Sequence, residues 1–151
     1  MRSVIAFAVL GVVALIALLP KIIHGFDSGE ETLPVAKMQG GYKPASRNLV
    51  IEGLLDVGHS VEKRTTKRGA TISRRTYMPL VPAGWTKNDP VHVIYSTSAW
   101  LDIALDRMAR QPTHKGLLRN VLWEGVPGAV KDRFNQMGLK LADDLVLVDE
   151  R

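Results

Sequence analysis

The 151-residue chain contains no cysteine. That excludes disulfide frameworks and thiolate metal sites, but not an oxidising compartment, which permits disulfides without demanding them. No serine sits in a G-x-S-x-G elbow, and Gly40-Gly41 and Gly69 match neither G-x-G-x-x-G nor a P-loop. The four histidines, His24, His59, His92 and His114, are far apart in the chain, with neither H-x-x-x-H nor H-x-H spacing. No motif names a reaction, no metal or other cofactor is expected, and no internal repeat is visible.

What the chain does have, first, is a long apolar start. Val4 to Leu19 is sixteen consecutive residues of the types Val, Ile, Ala, Phe, Leu and Gly, and Ile22 and Ile23 extend it beyond Pro20 and Lys21. A helix needs roughly 20 residues to cross a bilayer core of about 30 Å, so Val4–Ile23 is expected to be a transmembrane helix. A cleaved signal peptide fits less well, because its apolar region is shorter and no A-x-A site follows. Ala8, Gly11 and Ala14 give this helix a small-residue face suited to packing on other membrane helices. The short positive N-terminus suits an N-cytoplasmic, single-pass anchor with the remainder outside the cytoplasm, as a periplasmic domain.

Second, charge is concentrated. Beyond residue 25 there are 18 Lys/Arg and 15 Asp/Glu, a balance of +3. Lys63, Arg64, Lys67, Arg68, Arg74 and Arg75 fall in one stretch without an acid between them, so this segment carries +6 and the rest sums to −3. The basic character is local.

Along the chain, residues 1–25 read as the anchor and 26–46, rich in Gly and Pro, as a linker. Residues 47–151 read as a soluble α+β domain with a strand-rich first half and a helical second half ending in a strand. "NLVIEGLLDVG" reads as a strand with a bulge or bend at Gly53, and "PVHVIYST" as another. The basic residues lie on either side of Lys67-Arg68-Gly69-Ala70, where Gly69 can take positive φ, so they form a hairpin. Ser98 is placed as the cap of a helix burying Leu101, Ala104, Leu105 and Met108. Thr113 is placed as the cap of a second helix on Leu117, Leu118, Val121 and Leu122, ended by Gly125 and Pro127. A third helix carries Val130, Phe134 and Met137 inward, capped by Gly138. "DDLVLVDE" closes as a strand.

Asp56, His59 and Ser60 bring a hydrolase to mind, but a polar turn between two strands accounts for them better. The acidic pairs Asp102/Asp106 and Asp143/Asp144 are candidates for carboxylate chemistry, but Asp102 better suits a helix N-terminus and Asp106 pairs with Arg110 at i, i+4. Trp100 and Trp123 are candidates for core or for interface anchors. The combined expectation is a non-catalytic accessory or assembly subunit of a membrane complex, its basic hairpin contacting an acidic partner surface. The partners expected are other membrane protein subunits, with anionic lipid as a further candidate. Nucleic acid is not expected of a tethered domain outside the cytoplasm, although Tyr77 and Trp85 accompany the basic cluster. An extracytoplasmic hydrolase or a lipid- or ligand-binding module is the alternative reading.

Overall fold

The computed structural model describes residues 29–39, 41–119 and 125–151. Their order is β1 Glu30–Pro34, α1 Val35–Met38, β2 Asn48–Glu52, β3 Leu54–Leu55, a 3₁₀ turn Val57–His59, β4 Val61–Lys67 and β5 Ala70–Val81. There follow β6 Pro90–Thr97, α2 Asp102–Ala109, β7 Thr113–Leu118, α3 Gly128–Gln136 and β8 Lys140–Glu150. Strands hold 48 % of the described residues and helices 21 %, in a single mixed sheet, so the chain is mostly β. This corrects the α+β expectation of a helical second half.

The correction centres on residues 113–118. Their leucines fit a helical period, yet the segment alternates, burying His114 and Gly116 while Thr113 and Lys115 face out. Strand β7 is hydrogen-bonded on both sides, antiparallel to β2 and to β8. A short apolar run cannot distinguish the two states by period alone, and here pairing on two sides decides for the strand. Val121 and Leu122, expected on that helix, lie outside the described residues. The first expected helix begins only at Asp102, with Leu101 at its N-cap and 55 % exposed, because Ser96 and Thr97 are buried in β6.

The membrane-spanning expectation is also corrected: no described helix is long and apolar enough to cross a bilayer. The longest, α3, has nine residues, less than half of the roughly 20 a crossing requires. The segment Val4–Ile23, with Ala8, Gly11 and Ala14, lies outside the described residues. The membrane, single-pass and periplasmic assignments built on it therefore find no support in the described structure.

The strand path is β1-β2-β7-β8-β6-β5-β3, with β4 also paired to β5. Strands β2 and β3 are one residue apart in the chain but stand near opposite ends of this path. The sheet must therefore curl until its ends meet, as an incomplete barrel. Gly53 is the seam: its N–H donates to the Pro112 carbonyl at 3.2 Å. A Cβ there would lie 3.0 Å from Val35 Cγ1, 3.1 Å from Leu80 Cδ1 and 3.2 Å from the Val81 carbonyl. The expected bend at Gly53 is thus a crossing between sheet neighbours.

Each face of the curled sheet carries its own core. On one, Leu49, Ile51, Met78, Leu80, Val93, Tyr95 and Val148 pack with Leu33, Val35 and Met38 and with Leu105 of α2. On the other, Val61, Tyr77, Val91, Ile94 and Leu147 pack against Val130 and Phe134 of α3. Strand β6 is buried on both faces as a central strand must be, and a register shift between Val91 and Val93 breaks its simple alternation. Helix α3 ends as expected: Gly138 has φ +81°, its N–H donates to the Asn135 carbonyl at 2.9 Å, and Leu139 N–H donates to the Phe134 carbonyl at 3.1 Å.

The stretch read as a linker, 26–46, contributes β1 and α1 to this fold. Leu33, Val35 and Met38 are buried, and the Glu31 carboxylate accepts from Tyr42 Oη at 2.6 Å, Ala45 N–H at 2.8 Å and Ser46 N–H at 3.1 Å. These bonds hold the Glu31 carboxyl below its ordinary pKa, the Tyr42 hydroxyl being the largest influence.

At Gly116 a Cβ would lie 2.6 Å from the Asp149 carbonyl oxygen of the adjacent strand. Backbone cannot yield as a flexible side chain can, so Gly116→Ala is expected to destabilise the protein by about 2 kcal/mol or more. Urea denaturation is the check, and unchanged stability would contradict this close approach of β7 to β8.

Candidate functional site

Strands β4 and β5 form a hairpin around Arg68 and Gly69, whose φ values are 51° and 81°. Two consecutive positive φ values describe a type I′ turn, whose twist matches that of the flanking strands. Strand β5 outruns its neighbour: its first pair with β6 is Thr76↔Thr97, so, among the described residues, 70–75 are paired with β4 alone. The hairpin is therefore a two-stranded arm projecting from the sheet, and every residue from Glu62 to Ser73 is exposed. A register shift between Thr65 and Thr66 puts a bulge near its middle, leaving Ile72 60 % exposed.

The arm gathers all six basic residues but gives them unlike roles. Lys63 pairs across the strands with Arg75 and Arg64 with Arg74, so the pleat sends these two pairs to opposite faces. On the Arg64 face, Glu62 accepts from Arg64 Nε at 2.5 Å and lies 3.8 Å from Arg74 Nε. Arg64 is the main reason the Glu62 carboxyl titrates below its ordinary value. The Arg74 guanidinium also lies 4.4 Å from the ring centre of Trp100, which is 48 % exposed. Leu101 and Ile103 follow Trp100 and are exposed as well. This chain of contacts makes Trp100 a surface aromatic beside the arm, while Trp123 lies outside the described residues.

Arg75, on the other face, is committed inward. Its Nη1 lies 3.0 Å from Asp149 Oδ1, and Arg119 Nε lies 2.5 Å from Asp149 Oδ2. The buried Ser96 hydroxyl also donates to Asp149. A carboxylate only 7 % exposed requires such partners, because an unpaired buried charge is costly. Arg75 is thus a structural residue at the root of the arm. Lys63, Lys67 and Arg68 have no ion pair among the described residues. Glu62, Asp149 and Arg119 carry this site without having been expected from the sequence, since Glu62 reaches Arg74 only through the hairpin register and Asp149 meets Arg75 and Arg119 only in the assembled sheet.

The remaining candidates stay separate. His59 Nδ1 lies 2.7 Å from Asp56 Oδ2 on the 3₁₀ turn, and no hydrogen bond links His59 to Ser60 among the described residues. His92 pairs with Asp144 at 2.7 Å on the surface, and Asp102 and Asp106 sit on exposed turns of α2. No group of three or more His, Asp or Glu that could hold a metal occurs among the described residues. Comparison with protein-family models, with curated proteins and with solved structures finds no match for this chain.

His114 is 2 % exposed, its ring centre 5.6 Å from that of Tyr95, and its Nε2 lacks a hydrogen-bond partner among the described residues. Burial lowers its pKa from 6.5, and the Gly53 and Gln111 carbonyls oppose this in part. The unfolded chain therefore takes up this proton at higher pH than the folded one, and stability falls as pH drops below the ordinary histidine value. His114→Phe is expected to flatten the loss of stability as pH falls below about 6.5, measured by thermal melting over a pH series. A second test addresses the buried carboxylate. Asp149→Ala removes charge-assisted hydrogen bonds from two arginines and is expected to cost about 2 kcal/mol in urea denaturation, whereas no loss would show that solvent serves Arg75 and Arg119 as well.

Proposed function

We infer that this protein is a non-catalytic docking domain, an accessory component of a larger assembly, whose basic arm contacts an acidic surface on a partner protein. The observation that carries the reading is the projection of Lys63, Lys67 and Arg68, unpaired and exposed, on a two-stranded arm beside an exposed Trp100. Charge on a projecting ribbon steers association and sets specificity, while exposed aromatics and arginines supply the anchoring energy. The reading does not depend on the N-terminal segment.

A protein partner suits the arm better than nucleic acid does. A phosphate backbone is best met by a continuous row of cations. Here Glu62 offsets Arg64 and Arg74, Arg75 is turned to Asp149, and apolar Ile72, Trp100, Leu101 and Ile103 share the exposed surface. Mixed charge with apolar anchors is the composition of a protein interface.

Lys63→Glu/Lys67→Glu reverses two unpaired cations without touching Asp149, Glu62 or the turn. Co-purification of the tagged full-length protein is expected to return a stoichiometric protein partner, and the double reversal is expected to weaken its binding by about tenfold or more. Retention of the partner unchanged, or recovery of nucleic acid in its place, would overturn the reading.

A further inference from the structure

Among the described residues, strand β4 is paired only on its β5 side. Alternate N–H and C=O groups along it therefore point away from β5, available to another strand. Beside this open edge runs α3, and between them lies a groove of about 500 Å³ bordered by five consecutive β4-side residues, Ser60 to Arg64. Its apolar wall is Val61, Val130 and Met137, with exposed Ala129 at its rim. Lys63 and Arg133 also line it; neither has an ion pair among the described residues, and Arg133 has only a 3.1 Å hydrogen bond to Gln136.

We propose that this groove binds an extended acidic segment of the partner protein, which adds as a further strand to the edge of β4 while packing against α3. A sheet edge flanked by a helix is a common setting for peptide recognition by strand addition, in which main-chain bonds supply affinity and alternate side chains supply specificity. The pleat dictates the sequence pattern. Val61 and Lys63 share the face turned to α3 and Arg64 faces the opposite side, so acidic residues of the added strand turn to Lys63 and Arg133 in the groove and the alternate, apolar residues lie on the other side. The β4 border of the groove ends at Arg64, and the bulge at Ile72 of β5 bends the arm opposite Thr65 and Thr66, which confines the addition to Val61–Thr65, about 17 Å of strand. A second copy of the chain is a poor occupant, because pairing β4 with itself sets Lys63, Arg64 and Lys67 against like charges.

The inference rests on the acidic-partner reading, and the test separates the two. Full-length protein is titrated with a fluorescein-labelled decapeptide of alternating Glu and Val, and with its Lys-Val counterpart, while amide exchange on β4 is followed by NMR. The Glu-Val peptide is expected to bind and to slow exchange of the outward amides between Val61 and Thr65 by about fivefold or more. Ala129→Trp, which narrows the groove without altering a cation, is expected to weaken that binding by about tenfold. Arg133→Glu, on the exposed face of α3, is expected to do the same and serves should the tryptophan variant fail to fold. Charge-selective binding that neither protects β4 nor responds to these variants would overturn strand addition and leave the acidic-partner reading intact. Equal binding of both peptides, or of neither, would overturn both.

Discussion

The fold depends on the crossing at Gly53. Because the chain passes there directly from β2 to β3, two strands near opposite ends of the strand path are tied together by a single residue and the sheet has to curl. Curling in turn fixes how β5 is shared. Its end reaches β3 at Leu80 and Val81, its middle from Thr76 to Leu80 pairs with β6, and residues 70–75, beyond the reach of both, are paired with β4 alone among the described residues. Pro79 marks the handover: it falls between the residues of β5 paired with β3 and those paired with β4, where the missing N–H breaks no ladder on that side. The arm that carries the basic residues is thus a consequence of how the barrel closes.

The electrostatics follow from the same geometry. Six cations adjacent in sequence are distributed by the pleat over two faces and a turn, and the fold supplies each face with one acid. Glu62 comes from within the arm, so it restrains Arg64 and Arg74 without removing them from solvent. Asp149 comes from β8, two strands away, and being buried it draws Arg75 and Arg119 onto itself. A carboxylate in that position needs its arginines more than any partner surface would, because water cannot replace them. The cations left for recognition are fewer than the composition suggests, and they lie at the tip and along the open edge.

Legibility in the sequence follows the range of the interaction. The hairpin reads from Arg68-Gly69 and its β-branched flanks, and α3 reads from Val130, Phe134 and Gly138, because each is specified within a few residues. Strand β7 does not: "THKGLL" becomes a strand through β2 and β8, which lie far off in the chain. The segment 30–38 shows the same limit, since its flanking Gly and Pro suggest a tether while Leu33, Val35 and Met38 find their core only in the assembled sheet. Glu62 was visible beside the cluster, but its pairing with Arg74 requires the hairpin register. Asp149 offered only an acid after four consecutive apolar residues, Leu145 to Val148, and its meaning rests on a row across three strands.

An exposed strand edge is a hazard that proteins blunt with lysines, bulges and short length. The outer part of β4 has these protections: Lys67 near the tip, the bend imposed by the β5 bulge at Ile72 opposite Thr65 and Thr66, and charge on both faces. The inner part is protected differently, by α3 running alongside it, which narrows access without pairing the backbone. Protection by like charge is selective by nature, since it repels another copy of the same edge and leaves an oppositely charged strand unopposed. The features that keep this arm from associating with itself are therefore the ones that would make an acidic, extended partner acceptable to it.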